Sequence, residues 1–93
     1  MIKSFADKRT QELFERHDVK KLPSEILKAA YRKLLIIDAS ESIDDLKVPP
    51  GNRLEKLKGE LSGKYSIRIN DQWRIIFNWK GNNAFDVEIV DYH

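Results

Sequence analysis

The sequence predicts an α+β domain in which an N-terminal strand and a helical hairpin pack on one face of a small twisted antiparallel β-sheet. Three observations support this fold class. Residues 2–5 alternate between apolar and polar, two segments with apolar residues at helical spacing follow, and β-branched and aromatic runs fill the last third of the chain. With 93 residues and 41% hydrophobic residues, residues 1–93 are expected to form one globular domain.

The two helices are predicted in the first half of the chain. Asp7 is placed to cap a helix over residues 7–16, and a second helix over residues 22–38 begins at a proline, with Ser24 as its expected cap. The apolar face of the second helix is predicted to contain Leu27, Ala30, Tyr31, Leu34 and Ile37. Residues 39–52 break the pattern and are expected to form a loop with one short helical turn.

Four runs in the second half of the chain are predicted strands. They cover residues 54–57, 64–69, 73–79 and 85–92, and turn-forming residues separate them. Because the last three follow one another with short connections, we expect an antiparallel meander that the helices cover on one face.

Side-chain alternation assigns the strand residues to two faces of the sheet. Ile69 and Trp73 both reach the helix-covered face only if they lie opposite each other, which places Arg68 opposite Arg74 on the exposed face. Like charges in directly opposed positions are unfavourable unless a negative group lies between them. The pair therefore indicates either a phosphate site, since Arg presents paired donors, or a solvated face that Glu88 neutralises.

The last predicted strand runs into Asp91, Tyr92 and His93, each of which can transfer or direct a proton. Parity in this strand places Phe85 on the helix-covered face and Tyr92 on the exposed face with the arginines. Asp91 and His93 then point the other way unless the terminus bends. The alternative interpretation is a frayed end, with Asp91 as a charge that protects a sheet edge.

Composition narrows the function classes. The absence of cysteine excludes a disulfide, a thiol nucleophile and a cysteine-based zinc site. His17, expected in a solvated turn, lies far from His93 in the sequence, so we expect neither a metal site nor a cofactor. A net charge of +2 is only weak support for nucleic-acid binding. The longest aliphatic run, residues 34–37, is far below a membrane span and no signal peptide is visible, which predicts a cytoplasmic location without membrane association.

Four segments together carry a family resemblance. They are Asn52-Arg53-Leu54-Glu55-Lys56-Leu57-Lys58-Gly59, Tyr65-Ser66-Ile67-Arg68-Ile69, Asn70-Asp71-Gln72-Trp73-Arg74-Ile75-Ile76-Phe77 and Val87-Glu88-Ile89-Val90-Asp91-Tyr92-His93. With the opening residues and the double helix, the whole chain resembles the HigB branch of the RelE/ParE toxin superfamily. The resemblance implies a RelE-like fold and a toxin of a bacterial type II toxin–antitoxin system. It also implies a ribosome-dependent endoribonuclease that enters the decoding site and cleaves messenger RNA during translation, and so inhibits translation.

The resemblance also implies a partner and a set of site residues. The partner is a HigA-like antitoxin with a helix-turn-helix domain. The pair binds operator DNA only through this antitoxin. The family's catalytic positions fall on Asp91, Tyr92, His93 and Arg74. Its RNA-binding positions fall on Arg68, Lys56, Lys58 and Glu55. Some relatives carry a histidine at the position of Glu55. The Glu55 carboxylate can still accept a proton, but its charge repels phosphate.

The implied reaction needs no metal, because the ribose 2′-OH attacks the adjacent phosphorus. Tyr92 or His93 would transfer protons, Asp91 would orient them and Arg74 would clamp the transition state. The assignment of base and acid stays open. Two other functions are consistent with the chain: a non-enzymatic poison of DNA gyrase, as in the ParE branch, and a nucleic-acid-binding module without chemistry.

Overall fold

The helices occupy the first 39 residues of the computed structural model, which describes residues 1–16 and 19–92. Helix α1 spans Lys8–Arg16 and α2 spans Ser24–Ala39. Asp7 caps α1 as predicted, because its Oδ1 accepts the Thr10 N–H at 3.1 Å. The predicted Ser24 cap is wrong: Pro23 holds the cap position with extended backbone, which places Ser24 inside the helix, and no side chain caps α2.

The sheet contains four antiparallel strands in the order β1-β2-β3-β4. The strands are β1, Glu55–Lys56; β2, Lys64–Arg68; β3, Trp73–Lys80; and β4, Asn83–Asp91. The predicted N-terminal strand is present only as two isolated parallel bridges to β4, from Ile2 to Ala84 and from Phe5 to Val87. Two 3-10 helices, Ile43–Lys47 and Pro50–Asn52, replace the single turn expected between α2 and β1.

The hydrophobic core lies between the helices and one face of the sheet. From the helices it takes Leu13, Ile26, Ala30, Leu34 and Ile37, and from the sheet Ile67, Trp73, Ile75, Phe77, Val87 and Ile89. Leu27 and Tyr31, predicted on the apolar face of α2, are only half-buried, because Ile26 takes the innermost position. None of the helices in residues 1–16 and 19–92 has the length and apolar character to cross a membrane.

The hairpin between β2 and β3 has the predicted register. Arg68 lies opposite Arg74, and the Ile69 N–H donates to the Trp73 carbonyl at 2.8 Å. Two buried neighbours in β3 therefore point to opposite faces, with Ile75 in the core and Arg74 on the face away from the helices. We call that second face the open face.

A bulge in β4 overturns the predicted position of Phe85. The register shifts between Ile76 and Asn78, so that Phe85 lies opposite Asn78 and Ala84, completely buried, takes the core position. Asp86 occupies the bulge with a φ of 52°. An extra residue in one strand reverses side-chain alternation beyond it, and this carries Phe85 out of the core.

Candidate active site

A pocket of about 240 Å³ lies on the open face, where β2 and β3 meet the end of β4. It is lined by Arg53, Glu55, Arg68, Asn70, Asp71, Arg74 and Tyr92. Strand register explains part of this set, because Glu55 pairs with Ser66 in the neighbouring strand and Arg68 pairs with Arg74. The pocket is therefore lined by three arginines, two acidic residues, one asparagine and one tyrosine.

Arg74 is the buried centre of the pocket, with 7% of its surface exposed. Its Nε donates to Ser66 Oγ at 2.9 Å, and its Nη2 donates to the main-chain carbonyl of Arg53 at 2.6 Å. A second, longer contact joins Nη2 to the Ser66 carbonyl at 3.4 Å. A buried charge is tolerated only when it is paired and hydrogen-bonded, and these contacts fix the plane of the guanidinium.

The third nitrogen of Arg74 faces the charged part of the pocket. Nη1 lies 3.7 Å from Glu55 Oε1, an ion-pair distance longer than a hydrogen bond, and no hydrogen bond to Nη1 occurs among the described residues. The centroid of the Tyr92 ring lies 5.5 Å from Cζ of Arg74, within the range of a cation–π contact. Arg74 thus presents one donor to the pocket beside a half-exposed phenol.

Each of the two opposed arginines has its own carboxylate. Arg68 forms an ion pair with Asp71, whose side chain is 98% exposed in the hairpin loop, and Arg74 pairs with Glu55. Glu88, the predicted neutralising residue, lies opposite Ile76 instead. Two arginines in directly opposed positions require negative groups nearby, and Asp71 and Glu55 supply them. Both carboxylates are exposed enough to move.

The hairpin loop and the end of β4 support each other. Asn70 Oδ1 accepts the N–H groups of Gln72 at 2.8 Å and Trp73 at 2.7 Å, which closes the turn. Gln72 then contacts the chain end twice: its Nε2 donates to Asp91 Oδ2 at 3.0 Å, and its carbonyl accepts the Tyr92 N–H at 2.6 Å. These contacts place the Tyr92 ring beside Arg74.

The predicted catalytic residues do not all meet in the pocket. Arg74 and Tyr92 do, but Asp91 lies opposite Trp73 and therefore projects toward the helix-covered face. Beyond the bulge, β4 pairs regularly from Glu88 to Asp91, so the bend needed to turn Asp91 into the pocket is not present. His93 lies outside the described residues, as does His17.

The predicted RNA-binding residues divide in the same way. Arg68 and Glu55 line the pocket, whereas Lys56 and Lys58 do not. Lys56 lies opposite Tyr65, on the other side of its strand from Glu55, and Lys58 precedes the 3-10 helix Gly59–Leu61. Both lysines are exposed; Lys56 belongs to the edge strand β1, and Lys58 lies two residues beyond it.

Sequence reasoning missed four residues that build the pocket. Ser66 and Asp71 could have been predicted. Alternation places Ser66 on the same face as Arg68, and the three-residue loop puts Asp71 beside Arg68. Asn70 is a common turn residue, and its place in the loop was equally visible. Arg53 contributes a main-chain carbonyl from a loop, and no pattern of residue types predicts such a contact.

Comparisons with known proteins agree with this architecture. Residues 3–93 match the model of a family described as the RelE-like toxin of the type II toxin–antitoxin system HigB. Toxin HigB-1 of Vibrio cholerae serotype O1 is 46% identical over 82 residues, which cover 85% of this chain and 84% of that protein. Endoribonuclease HigB of Proteus vulgaris is 32% identical over 93 residues, all of both chains.

Solved structures show the same fold at low sequence identity. A chain of the YoeB-YefM complex from Staphylococcus aureus superposes with a TM-score of 0.62 at 22% identity, covering 100% of this chain and 98% of that one. YafQ from Escherichia coli gives a TM-score of 0.57 at 14% identity, covering 98% and 93%. The family match spans nearly the whole chain and both relatives align over most of their length. The chain therefore belongs to the HigB family of RelE-like toxins of type II toxin–antitoxin systems.

Proposed function

We propose that this toxin is an endoribonuclease that cleaves messenger RNA on the translating ribosome. One observation carries the proposal: Arg74, Arg68 and Tyr92 face one pocket, so cationic donors and a proton-transfer group lie together. A relative that aligns over its full length is named an endoribonuclease. A net charge of +2 suits a protein that meets RNA already held by the ribosome better than one that captures free RNA.

The proposed reaction is an internal transfer of one phosphodiester bond. The 2′-oxygen of a ribose attacks the adjacent phosphorus, and its proton passes to a base. The bond from phosphorus to the 5′-oxygen of the next nucleotide breaks, and that oxygen receives a proton from an acid. The products are a 2′,3′-cyclic phosphate on the upstream fragment and a 5′-hydroxyl on the downstream fragment.

Arg74 is the proposed clamp for the negative charge that develops on the phosphorane oxygens. Its Nε and Nη2 are held by Ser66 and Arg53, so the guanidinium needs little reorganisation when charge develops on the substrate. Nη1 is the donor that we assign to phosphate, and Glu55 is the counter-ion that phosphate displaces from it. Arg68 adds a second donor once its ion pair with Asp71 opens.

Tyr92 and His93 are the proposed proton-transfer groups. The Tyr92 ring lies beside Arg74 in the pocket, which supports its role directly. His93 is proposed from the sequence alone, since an imidazole titrates near neutral pH. Asp91 is proposed to orient these groups from outside the pocket, because it binds the amide of Gln72, whose carbonyl in turn binds the Tyr92 N–H.

Lys56 and Lys58 are proposed to contact the RNA backbone outside the pocket. Both are exposed and follow Glu55 along the chain, so a strand of RNA leaving the pocket past β1 would meet them. Such phosphate contacts add affinity and position without reading sequence.

The proposed partner is an antitoxin with a HigA-like helix-turn-helix domain. The family description names a type II toxin–antitoxin system, and a solved neighbour is a toxin–antitoxin complex. Operator DNA is then bound by the antitoxin and not by this chain. Coexpression with the protein encoded by the adjacent gene should yield a stable complex on size exclusion in which RNA cleavage is suppressed; two separate monomers would contradict this part of the proposal.

A cell-free translation reaction tests the proposed activity. Primer extension on the messenger should reveal cuts within translated codons that vanish when ribosomes are omitted, and the upstream fragments should end in a 2′,3′-cyclic phosphate. An intact messenger would contradict the proposal. If the toxin left the messenger intact and blocked DNA supercoiling by purified gyrase, the chain would be a gyrase poison.

A further inference from the structure

Asn52 anchors the loop that joins α2 to β1. Its side chain is completely buried, and its amide nitrogen donates to the carbonyls of Leu46 and Val48, each at 3.2 Å. Its Oδ1 accepts a hydrogen bond from Nζ of Lys33 in α2. One side chain therefore ties two turns of the loop to each other and to the helix.

The residue after Asn52 delivers a main-chain group to the pocket. Arg53 has a φ of 46° and a ψ of 56°, a left-handed conformation that is uncommon outside glycine. Its N–H binds the Pro50 carbonyl at 3.1 Å, and its own carbonyl accepts Nη2 of Arg74 at 2.6 Å. Such a backbone conformation persists only where the surrounding structure enforces it, and the buried bonds of Asn52 lie directly beside it.

We propose that Asn52 is a positioning residue for this pocket, acting through the Arg53 carbonyl on the orientation of the Arg74 guanidinium. The catalytic importance of Arg74 rests on the proposed function, whereas the structural link from Asn52 to Arg74 does not. Removal of the Asn52 side chain leaves the carbonyls of Leu46 and Val48 without the amide that donates to both. The Arg53 carbonyl then loses its fixed place, and Arg74 loses one of its hydrogen bonds.

The Oδ1 atom of Asn52 binds a lysine on which two arginine charges act. Burial, and then the charges of Arg32 and Arg68, lower the pKa of Lys33. Arg68, one of the two charges that lower the pKa of Lys33, is also a lining residue of the pocket. Asn52 accepts a hydrogen bond from this lysine, so one side chain joins the loop to α2.

Three variants separate the hydrogen bonds of the Asn52 side chain from general effects on stability. Asn52→Ala removes both the amide donor to the loop and the acceptor for Lys33. Asn52→Asp keeps an acceptor for Lys33 but loses the donors to the loop, and it keeps the size of the side chain. Ser40→Ala is the matched control, since Ser40 is also buried in this loop and its Oγ donates to the Ile36 carbonyl at 2.7 Å, without a contact to Arg53 among the described residues.

The first measurement is made on the free toxin and needs neither RNA nor ribosomes. The Nη2–H resonances of Arg74, whose acceptor is the Arg53 carbonyl, are identified by their loss in Arg74→Lys, and their exchange with water is measured by NMR. We expect exchange to rise roughly fivefold in both Asn52 variants, the effect of about one lost hydrogen bond, and to stay unchanged in Ser40→Ala. Unchanged exchange in folded Asn52→Asp, or an equal rise in Ser40→Ala, would overturn the proposal.

The second measurement is a double-substitution comparison in the cleavage reaction. Asn52→Asp should lower cleavage roughly tenfold in the wild-type background and scarcely at all in Arg74→Lys, because residues in one network do not act additively. Equal losses in both backgrounds would show a role in stability alone and overturn the proposal. Absence of cleavage by the wild type would instead refute the proposed function, and the exchange measurement would still decide the role of Asn52.

Discussion

Ile75 and Arg74, neighbours in β3 on opposite faces of the sheet, are buried by different means. On the helix-covered face Ile75 is fully buried among apolar neighbours, and removal of apolar surface from water holds it there. Its neighbour Arg74, on the open face, is almost as well buried, yet hydrogen bonds to Ser66 and Arg53 hold it in place. Burial by area tolerates changes of shape, whereas burial by hydrogen bonds fixes orientation, and orientation is what a catalytic guanidinium requires.

This difference assigns separate roles to the two faces. Substitutions on the helix-covered face should lower stability and leave the chemistry of the remaining folded molecules intact. Substitutions in the open-face pocket should remove chemistry from molecules that stay folded. Loss of chemistry without loss of stability on the helix-covered face, or the reverse in the pocket, would contradict this assignment of roles.

The largest effect is expected at Tyr92. Tyr92→Phe keeps the ring over Arg74 and removes only the hydroxyl, so cleavage in the translation reaction should fall roughly 10²- to 10⁴-fold if the phenol transfers a proton. Tyr92→Ala should be no more active than Tyr92→Phe. Wild-type cleavage by Tyr92→Phe, with loss only in Tyr92→Ala, would show that the ring orients Arg74 and that the proton-transfer group lies elsewhere.

The next effect compares two phenylalanines on either side of the bulge. Phe77 is fully buried, so Phe77→Ala should cost about 3–5 kcal/mol in free energy of unfolding, measured by urea denaturation. Phe85 lies outside the core beyond Asp86, and Phe85→Ala should cost roughly 1 kcal/mol or less. Equal losses would mean that the bulge does not carry Phe85 out of the core.

A smaller effect is expected at the hairpin loop. Asp71→Asn removes the partner of Arg68, and because exposed ion pairs contribute only about 0–1 kcal/mol, stability should barely change. Arg68 would then meet phosphate without first releasing a carboxylate, so the apparent KM for programmed ribosomes should fall modestly. A higher KM would show that Asp71 holds Arg68 in its productive position.

The smallest effect is a pH dependence at the loop between α2 and β1. Hydrogen bonds from the backbone N–H groups of Glu41 and Ser42 lower the pKa of Asp45. A depressed carboxyl pKa stabilises the fold above the unfolded value of about 3.9, and this contribution is lost as pH falls through the folded value. Asp45→Asn should therefore lower the Tm at pH 7 and lose that difference in strong acid. An undiminished difference in acid would point to hydrogen-bond geometry alone.

Local patterns in the sequence predict much of this molecule. The opposition of Arg68 and Arg74 follows from alternation and a three-residue turn, and it is confirmed by the register. The placement of Tyr92 on the open face follows from the same parity, because the bulge lies on the far side of Val87 from the chain end. These predictions succeed since they depend only on side-chain period and loop length.

Two features lie beyond such patterns. The bulge depends on a positive φ at Asp86, and because this residue is not glycine the sequence does not indicate that conformation. The bulge moves Phe85 to the other face of the sheet. The hold on Arg74 depends on a main-chain carbonyl from a loop distant in sequence, fixed by the buried Asn52. Both are set by tertiary packing, so residue type and spacing alone do not reveal them.

Removal of the Arg74 guanidinium tests whether the open-face pocket cleaves RNA. Arg74→Met removes the guanidinium, and Lys28→Ala removes one positive charge from the exposed side of α2 as the matched control. Loss of the buried hydrogen bonds should cost about 1–3 kcal/mol for each acceptor left without a donor, against a typical domain stability of roughly 5–15 kcal/mol, so the fold of both variants is checked first.

With both variants shown to be folded by circular dichroism, ribosome-dependent cleavage is followed by primer extension. We expect a loss of roughly 10²- to 10³-fold for Arg74→Met and wild-type cleavage for Lys28→Ala. Wild-type cleavage by folded Arg74→Met would contradict this expectation.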